Sequence, residues 1–441
     1  MLFNTPEYIA FFSITFILYF FINRSRFITA RNILLLVASY YFYAQLHLWF
    51  ILLLIYITSV NYIIGLWIGK LKETGKNAKL AVAASVILSV ACLAFFKYAY
   101  LFKPSVILPV GLSFFTFQAL TYTIDIYRGK ILPEKNIITV AAFMSFFPTL
   151  LSGPIERARN IIPQLEDKTI INWDNITKGA GIFIWGLFKK VVIADRLAEY
   201  VNLIYLSPES HTGSSLALAA IFYSFQIYCD FSGYADMAIG SGTILGFKIM
   251  PNFNFPYCVN TIKEFWRRWH ISLTSWFTEY VYISMGGNRV PKARWILNIS
   301  SVFLLSGIWH GATWSFVLWG AIHAALYFCE YYIGPKKPNI LYHIVIFILI
   351  TFAWIFFRIS DIGTAWYIIT KICSDIVSPV YPGSSAFSTL LTGLLLIIFI
   401  FREYLIYSNK LPQKNWLEYI LILLMICLFG VSGDQFVYFQ F

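Results

Sequence analysis

Charged side chains are scarce in this chain, and their scarcity excludes most classes of soluble protein. Only 12% of the 441 residues are Asp, Glu, Lys or Arg, whereas a soluble domain carries ~25%. Hydrophobic residues make up 59% of the chain and aromatic residues 19%. A soluble fold of this size would need an apolar surface to hold so many apolar side chains. The composition therefore predicts a membrane protein and excludes disordered and fibrous chains.

Several motifs of familiar enzyme classes are also missing. The six cysteines are scattered without a CxxC pair, so neither a disulfide framework nor a metal site is expected. The chain lacks HExxH and a glycine-rich phosphate loop with its lysine, which disfavours a zinc protease and an ATPase. The sequence Ile239-Gly240-Ser241-Gly242 lacks the first glycine of a nucleophile turn, so an intramembrane serine protease is unsupported.

Long apolar runs without strict alternation predict membrane helices rather than a β-barrel. We therefore expect an all-α polytopic membrane protein with about 11–13 transmembrane or re-entrant helices, in one membrane-embedded domain over residues 1–441. No basic residue precedes the run Tyr8–Phe21 and no small-residue cleavage site follows it, so this run is expected to stay as the first span. The further spans are predicted at about 32–46, 48–69, 80–101, 108–127, 137–152, 178–204, 214–247, 296–333, 339–358, 385–402 and 417–432.

Three of these runs differ from a simple span. The runs 214–247 and 296–333 are long enough to be tilted, broken or paired segments. The run 137–152 is short, contains Pro148 and has basic loops on both sides, which disagrees with an alternating topology. It is therefore predicted to be re-entrant, and irregular backbone at membrane depth requires surrounding protein or water.

Basic residues exceed acidic ones by 33 to 21, which gives a net charge of +12. In a membrane protein, Lys and Arg collect in cytoplasmic loops and at anionic headgroups, so we expect the lipid bilayer as a partner and no nucleic acid. The loops after the first, third and fifth spans are basic, which predicts an extracytoplasmic N-terminus. Their charges are Arg24, Arg26 and Arg31, then Lys70, Lys72, Lys76 and Lys79, then Arg128, Lys130 and Lys135.

His310 lies deep in an apolar run between Gly307 and Gly311. An ionisable residue within the membrane is a candidate functional residue, and the small neighbours let another backbone or a substrate approach closely. The alternative is a structural histidine that joins two helices by a hydrogen bond. The sequence alone leaves both open.

His270 follows a basic segment rich in tryptophan. Trp266, Trp269, His270, Leu273 and Phe277 have helical spacing, which predicts one face of an amphipathic helix at the membrane interface. Lys263, Glu264, Arg267 and Arg268 lie over the other side. The structural alternative is an interfacial anchor with an incidental histidine.

Three further buried polar residues are given structural or orienting roles. His323 follows His310 by 13 residues, about 220° around a straight helix, so the two are not expected to share a face. Asp230 and Asp236 stand in apolar surroundings, where an ionised carboxylate must bind an Arg, a His or backbone donors. We expect structural pairing, with orientation of a histidine as the sharper alternative.

Several ordered stretches carry a family resemblance. They are Met250 to Pro256, Ile262 to His270 and Gly307 to Ala312, with Phe147-Pro148, Ser152 to Arg157 and Tyr228 to Asp236 upstream. With these stretches, the chain from Phe247 to His323 resembles the membrane-bound O-acyltransferase (MBOAT) family, with the signature core at about 140–330. Met285 to Arg289 and the terminal Gly433 to Phe441 favour the bacterial branch that O-acetylates alginate-like exopolysaccharides or peptidoglycan. The next most similar branch exports D-alanine for teichoic acids.

The resemblance implies a funnel or tunnel through the membrane with His310 as the catalytic histidine and His270 as the second histidine of the site. It implies acetyl-CoA or an acyl carrier as the donor, reaching the site from the cytoplasm, with no bound cofactor. It also implies the bacterial cytoplasmic (inner) membrane and a separate extracytoplasmic acetyltransferase partner. We expect the remaining site residues to bind substrate (Trp309, Trp266, Trp269, Asn252, Asn254) or to orient the site (Asp236, Asp230, Arg267).

The resemblance implies acyl transfer from a thioester to a hydroxyl. We hypothesise that His310 is the general base and that His270 or nearby Trp and Asn donors position the carbonyl. The alternatives are D-alanyl transfer for teichoic acids, a transporter or channel with a His/Asp pathway, and a scaffold that only passes acyl groups. The absence of a detectable repeat argues mildly against a transporter.

Overall fold

A computed structural model describes residues 1–24, 27–99, 108–334, 339–410, 416–431 and 433. Within these ranges the chain forms helices and loops and no strand, as the apolar runs predicted. Arg26, part of the span predicted at 80–101 and all but one residue of the terminal motif lie outside the described residues.

The helices of the amino-terminal half carry the labels α1 to α11. They are α1 Pro6–Arg24, α2 Ile28–Ala44, α3 Phe50–Glu73, α4 Lys79–Ala99, α5 Leu112–Tyr127, α6 Ile137–Met144, α7 Phe147–Leu150, α8 Ala158–Glu166, α9 Trp173–Phe188, α10 Asp195–Leu206 and α11 Gly213–Ile244.

The remaining helices are α12 to α19, and two π-helical segments continue α9 and α13. They are α12 Ile262–Arg268, α13 Ile271–Trp276, α14 Lys292–His310, α15 Trp314–Ile333, α16 Ile340–Arg358, α17 Ile362–Ser374, α18 Ala386–Tyr407 and α19 Trp416–Phe429, with the π segments Lys189–Ala194 and Phe277–Tyr282.

Six helices in the described ranges are long and apolar enough to cross a membrane. Their many exposed leucine, isoleucine and phenylalanine side chains match a surface in contact with lipid, where an apolar side chain costs nothing. The chain is therefore a multi-pass membrane protein. These spans are Pro6–Asn23, Phe50–Glu73, Lys79–Ala99, Trp314–Ile333, Ile340–Arg358 and Ala386–Tyr407.

The three unusual runs have three different structures. The run 137–152 forms α6 and α7, which have 8 and 4 residues. Neither is long enough to span, because 8 residues rise only ~12 Å against a hydrocarbon core of ~30 Å. The run 214–247 is one helix of 32 residues, whereas 296–333 is the pair α14 and α15.

The described chain divides into two compact units, and the division falls inside α9 and α11. The first unit contains 1–184 and 234–251; the second contains 185–233 and the chain from 252 onward. In the first unit, Gly179 of α9 and Gly240 of α11 lie so close that a Cβ on either would meet the other's carbonyl oxygen. The candidate site residues from Asn252 to His323 all belong to the second unit.

One of the loop charges has a structural role. Arg31 is 1% exposed in the first unit, and its guanidinium donates to the carbonyl oxygens of Leu165 and Asp167 at 2.6 Å each. These carbonyls belong to the C-terminal end of α8, where backbone acceptors lack intrahelical partners. Arg31 therefore satisfies a helix end rather than marking a solvated cytoplasmic loop.

Candidate active site

His310 is the last residue of α14, at the point where the chain turns into α15. The two helices pack backbone to backbone: a Cβ at Gly307 would collide with the carbonyl of Phe316, and one at Gly320 with the carbonyl of Phe303. The small residues beside His310 therefore serve close helix packing, which was one of the two expected uses. His310 itself is 4% exposed.

His270 does not lie on a continuous amphipathic helix, and that prediction was wrong. α12 ends at Arg268, α13 begins at Ile271, and His270 has φ 43° and ψ 54° between them. This left-handed conformation costs a residue with a Cβ roughly 1–2 kcal/mol. Trp269 and His270 are 2% and 1% exposed, so they are core residues rather than interfacial anchors.

The loop that carries Asn252 stabilises this break. The amide of Ile271 donates to the Asn252 backbone carbonyl at 2.8 Å, and the amide of Ser272 donates to Asn252 Oδ1 at 3.2 Å. The amide of Asn254 donates to the carbonyl of Arg268 at 3.1 Å. Asn252 thus binds free amides at the start of α13, which otherwise lack partners.

The same asparagine determines the tautomer of His270. A backbone N–H can only donate, so the Asn252 atom that accepts from Ser272 is an oxygen. His270 Nδ1 lies 3.0 Å from that oxygen and must donate to it. The neutral imidazole therefore carries its proton on Nδ1 and has its lone pair on Nε2. Burial lowers the pKa of His270 to about 3, which keeps the ring neutral.

A set of aromatic rings connects the two histidines. The centroid of Trp309 lies 4.7 Å from that of His310 and 6.3 Å from that of His270. The His310 ring also packs edge-on against Trp319 and Phe357, with centroids 5.2 and 4.9 Å away. The site is therefore an apolar, aromatic enclosure around two imidazoles.

Both histidines line a cavity of about 830 Å³ in the second unit. One stripe of α14 runs along it, with lining residues at Trp295, Ile299, Ser306 and His310 among others. Trp295 and His310 are fifteen residues apart, which corresponds to ~22 Å along a helix. The cavity is therefore long, and His310 stands at one end of its α14 wall.

The cavity lining also carries exposed positive charge. Lys263, Arg267 and Lys292 line the cavity and are exposed, while none of the described residues lining it is acidic. Arg267 therefore belongs to this cationic cluster rather than to the buried part of the site. We call the exposed part of the cavity with these three cations the mouth, and the part at His270 and His310 the inner end.

The other expected substrate-binding residues are placed differently from one another. Trp266 and Trp269 line the cavity, and Trp309 packs behind it between the histidines. Asn252 is 1% exposed beneath His270. Asn254 is exposed, and its contact with this region is the backbone hydrogen bond to Arg268, so the structure does not bring its side chain into the site.

The two aspartates are in different environments. Asp230 Oδ1 lies 2.8 Å from Lys190 Nζ, which also binds Asp195 at 2.7 Å, and all three side chains are buried. The cation is thus a lysine, a partner that the sequence argument did not include. Asp236 is half-buried on α11 in the first unit.

His323 is related to His310 in a way that the straight-helix argument missed. The chain breaks at Gly311–Thr313, and the two histidines lie on different helices. Both rings pack against Trp319, with centroids 5.2 and 4.9 Å away. His323 is fully buried, and neither ring nitrogen has a hydrogen-bond partner in the described part of the chain.

Sequence reasoning missed Ser272, Trp319, Trp354 and Phe357. Ser272 Oγ donates to Asn252 Oδ1 at 2.9 Å, and the three aromatic residues form the packing behind the histidines. The helical spacing of Trp354 and Phe357 indicated a shared face, but nothing in the sequence indicated that this face meets His310.

Comparison with known proteins identifies the family. Residues 35–336 match the family model of MBOAT, the membrane-bound O-acyltransferase family, which covers more than half of the chain. The chain belongs to the membrane-bound O-acyltransferase family. It is accordingly an O-acyltransferase, and the family match includes His270, His310 and the cavity between them.

Relatives of this O-acyltransferase act on several glycans. It is 37% identical over 387 residues to a probable alginate O-acetylase, AlgI, of Azotobacter vinelandii, covering 83% of this chain and 77% of the relative. It is 36% identical over 419 residues to the peptidoglycan O-acetyltransferase of Helicobacter pylori, covering 83% and 78%. The teichoic acid D-alanyltransferase of Bacillus subtilis is 30% identical over 270 residues, covering 56% and 67%.

Proposed function

We propose that this O-acyltransferase moves an acetyl group from a cytoplasmic thioester donor to an extracytoplasmic glycan, with His310 as the general base. The single observation that supports this best is the cavity itself, which is lined by two buried histidines and by three exposed cations. The cations suit the phosphates of a donor, and the apolar inner end suits its acyl group.

The length of the cavity fits a pantetheine thioester. The α14 stripe extends for ~22 Å from Trp295 to His310, and Lys292 lies about one further turn toward the mouth. An extended pantetheine arm could follow this stripe with its phosphates at Lys292, Lys263 and Arg267. Both coenzyme A and an acyl carrier present such an arm, so either donor fits.

The chemistry is one direct transfer at the inner end. His310 accepts the proton of the acceptor hydroxyl, and the hydroxyl oxygen attacks the thioester carbonyl. The new C–O bond forms and the C–S bond breaks, and the proton passes from the imidazole to the departing sulfur. The aromatic enclosure lowers the polarity around the reacting atoms, which strengthens electrostatic interactions with the tetrahedral oxyanion.

His270 positions the acceptor rather than the carbonyl. Its Nδ1 donates to Asn252, so Nε2 has a lone pair and can accept a hydrogen bond from a hydroxyl. The carbonyl instead requires donors. Within the described residues, Trp266 Nε1 and Asn252 Nδ2 have no hydrogen-bond partner, which supports these side chains as sources of that stabilisation.

The names of the relatives support the proposed acceptor, and the loop charges support the proposed orientation. The relatives with the largest coverage act on alginate or peptidoglycan by name, so we propose an extracytoplasmic glycan of that kind, reached with a separate acetyltransferase partner. D-alanyl transfer is less well supported, because that relative matches only 56% of the chain. Basic loops support a bacterial inner-membrane location with an extracytoplasmic N-terminus.

The test is complementation of a strain that lacks this chain. Wild type should restore O-acetyl groups on the cell's glycan, measured by mass spectrometry, whereas His310→Ala should restore none at equal membrane abundance. Acetyl-CoA consumption by membrane vesicles identifies the donor. Glycan O-acetylation retained by His310→Ala would contradict the assignment, and D-alanyl esters in place of acetyl esters would move the function to the teichoic acid branch.

A further inference from the structure

A packed layer of aromatic rings lies behind the inner end of the cavity. Trp319, Trp354 and Phe357 are each 1–2% exposed, and we call these three residues the aromatic wall. Their mutual ring centroids are 5.3 to 5.9 Å apart, within the range of direct aromatic contact. The wall therefore contains no space for additional atoms.

The aromatic wall lies directly behind the residues that line the inner end. Phe357 contacts the His310 ring at 4.9 Å and Trp319 contacts it at 5.2 Å. Trp354 contacts Trp269, which lines the cavity, at 4.8 Å. The wall thus supports His310 and Trp269, two residues that line the inner end, from the side that does not face the cavity.

The wall has little freedom to retreat. Trp354 donates its Nε1–H to the hydroxyl of Tyr257 at 3.2 Å, and Trp319 packs between His310 and His323. Interiors packed at this density do not accommodate extra methylenes without displacing side chains. A longer acyl chain on the donor would have to push His310 or Trp269 against these rings.

We propose that the aromatic wall sets the acyl length of this enzyme and restricts it to acetyl-sized groups. The inference rests on the proposed function, since it requires the acyl group to lie at His310. Discrimination by one methylene in a hydrophobic pocket is roughly 10- to 200-fold. Wild type should therefore prefer acetyl over butyryl, which has two more methylenes, by at least ~100-fold in kcat/KM.

Phe357→Ala and Trp354→Ala test the wall from two directions. Phe357→Ala opens space behind His310 and should raise the butyryl-to-acetyl ratio of kcat/KM by at least ~10-fold, the discrimination of about one methylene. Trp354→Ala opens space behind Trp269 and should raise the ratio in the same direction. Phe222→Ala is the matched control, because it removes the same atoms from another buried ring, which packs on Tyr200 and is not part of the wall.

The measurement uses membrane vesicles that contain the enzyme and its acceptor, supplied with acetyl-CoA and butyryl-CoA. The transferred acyl groups are identified by mass spectrometry, and thiol release gives the rates. Should an alanine variant fail to fold, Phe357→Leu and Trp354→Phe remove fewer atoms and should shift the ratio in the same direction.

The outcomes separate this inference from the proposed function. Acetyl transfer with an unchanged butyryl-to-acetyl ratio of kcat/KM in both wall variants would overturn the inference but not the proposed function. Equal use of butyryl-CoA and acetyl-CoA by wild type would have the same meaning. Failure of wild type to use any thioester, in vesicles whose glycan is acetylated in the cell, would overturn both.

Discussion

The inner end and the mouth of the cavity differ in burial and in charge. At the inner end, His270 and His310 are 1% and 4% exposed among aromatic rings. At the mouth, Lys263, Arg267 and Lys292 are exposed. A neutral base works best where water is excluded, whereas phosphates are recognised by cations that need not be buried. Chemistry and recognition are therefore separated along one cavity.

The largest effect is expected from removing the His310 imidazole at the inner end. His310→Ala should lower kcat by about 10²- to 10⁴-fold, which is the usual contribution of a general base. Thiol release from acetyl-CoA in vesicles measures the change, with thermal unfolding in detergent as a check on folding. A loss of less than about tenfold would place the base elsewhere.

The next effect concerns the support of His270. Asn252→Leu leaves the Nδ1–H of His270 and two donors of Ser272 without their acceptor, at a cost of about 1–3 kcal/mol for each buried group. We expect a lower free energy of unfolding and a kcat reduced by about 10- to 100-fold, as for loss of a group that orients a site histidine. Asn252→Asp keeps an acceptor and should recover stability better than Asn252→Leu.

The pH dependence of the stability of Asn252→Asp tests the contact between His270 and residue 252 in a second way. With a pKa of about 3, His270 in wild type stays neutral above pH 5. Its unfolded-state pKa is ~6.5, so the unfolded chain binds the extra proton and stability falls as pH drops below ~6.5. A carboxylate at 3.0 Å would raise the pKa of His270 and weaken this fall. An unchanged stability profile would contradict the assigned contact.

Removal of a cation at the mouth should have a smaller effect, on KM rather than on kcat. Lys263→Ala, Arg267→Ala and Lys292→Ala should each raise the KM for acetyl-CoA by roughly threefold to tenfold, with kcat retained, because exposed charge contacts contribute modestly. High salt should produce the same change in wild type. The N-acetylcysteamine thioester, which has no phosphate, is the matched control and should be insensitive. Equal losses with both donors would refute phosphate recognition.

The smallest effect should come from the third buried histidine. His323 packs against Trp266 and Trp319 without a hydrogen-bond partner in the described residues, so its imidazole is costly to bury. His323→Leu should leave kcat within about twofold and leave thermal stability unchanged or higher. A large loss of kcat without unfolding would give His323 a catalytic role.

Sequence reasoning located the elements of the site better than their arrangement. Gly307, His310 and Gly311 stood out because polar and small residues are rare in that apolar run, and His310 does line the cavity. The prediction failed where helical spacing was extended across a break. Trp266 to Phe277 reads as one amphipathic helix, since no proline or glycine interrupts it. The break at His270 depends on Asn252, 18 residues earlier in the chain.

The sequence also could not identify the partners of the buried charged residues. Burial of Asp230 predicted a cation or donor but could not identify Lys190, which is 40 residues away in sequence. Arg31 looked like a loop charge because its neighbours are basic, yet it binds carbonyls more than 130 residues later. Local pattern reports how polar a segment is; it does not report which distant group compensates a buried charge.

The sequence by itself determined membrane residence, helical architecture and the few residues able to do acid–base chemistry. These follow from composition and from periodicity, which are properties of the chain alone. The tertiary structure decided the left-handed turn at His270, the proton position on its ring, the cation partner of Asp230 and the aromatic wall behind His310. Each of these depends on contacts between residues distant in sequence, and the free energy of such contacts exists only once the helices have packed.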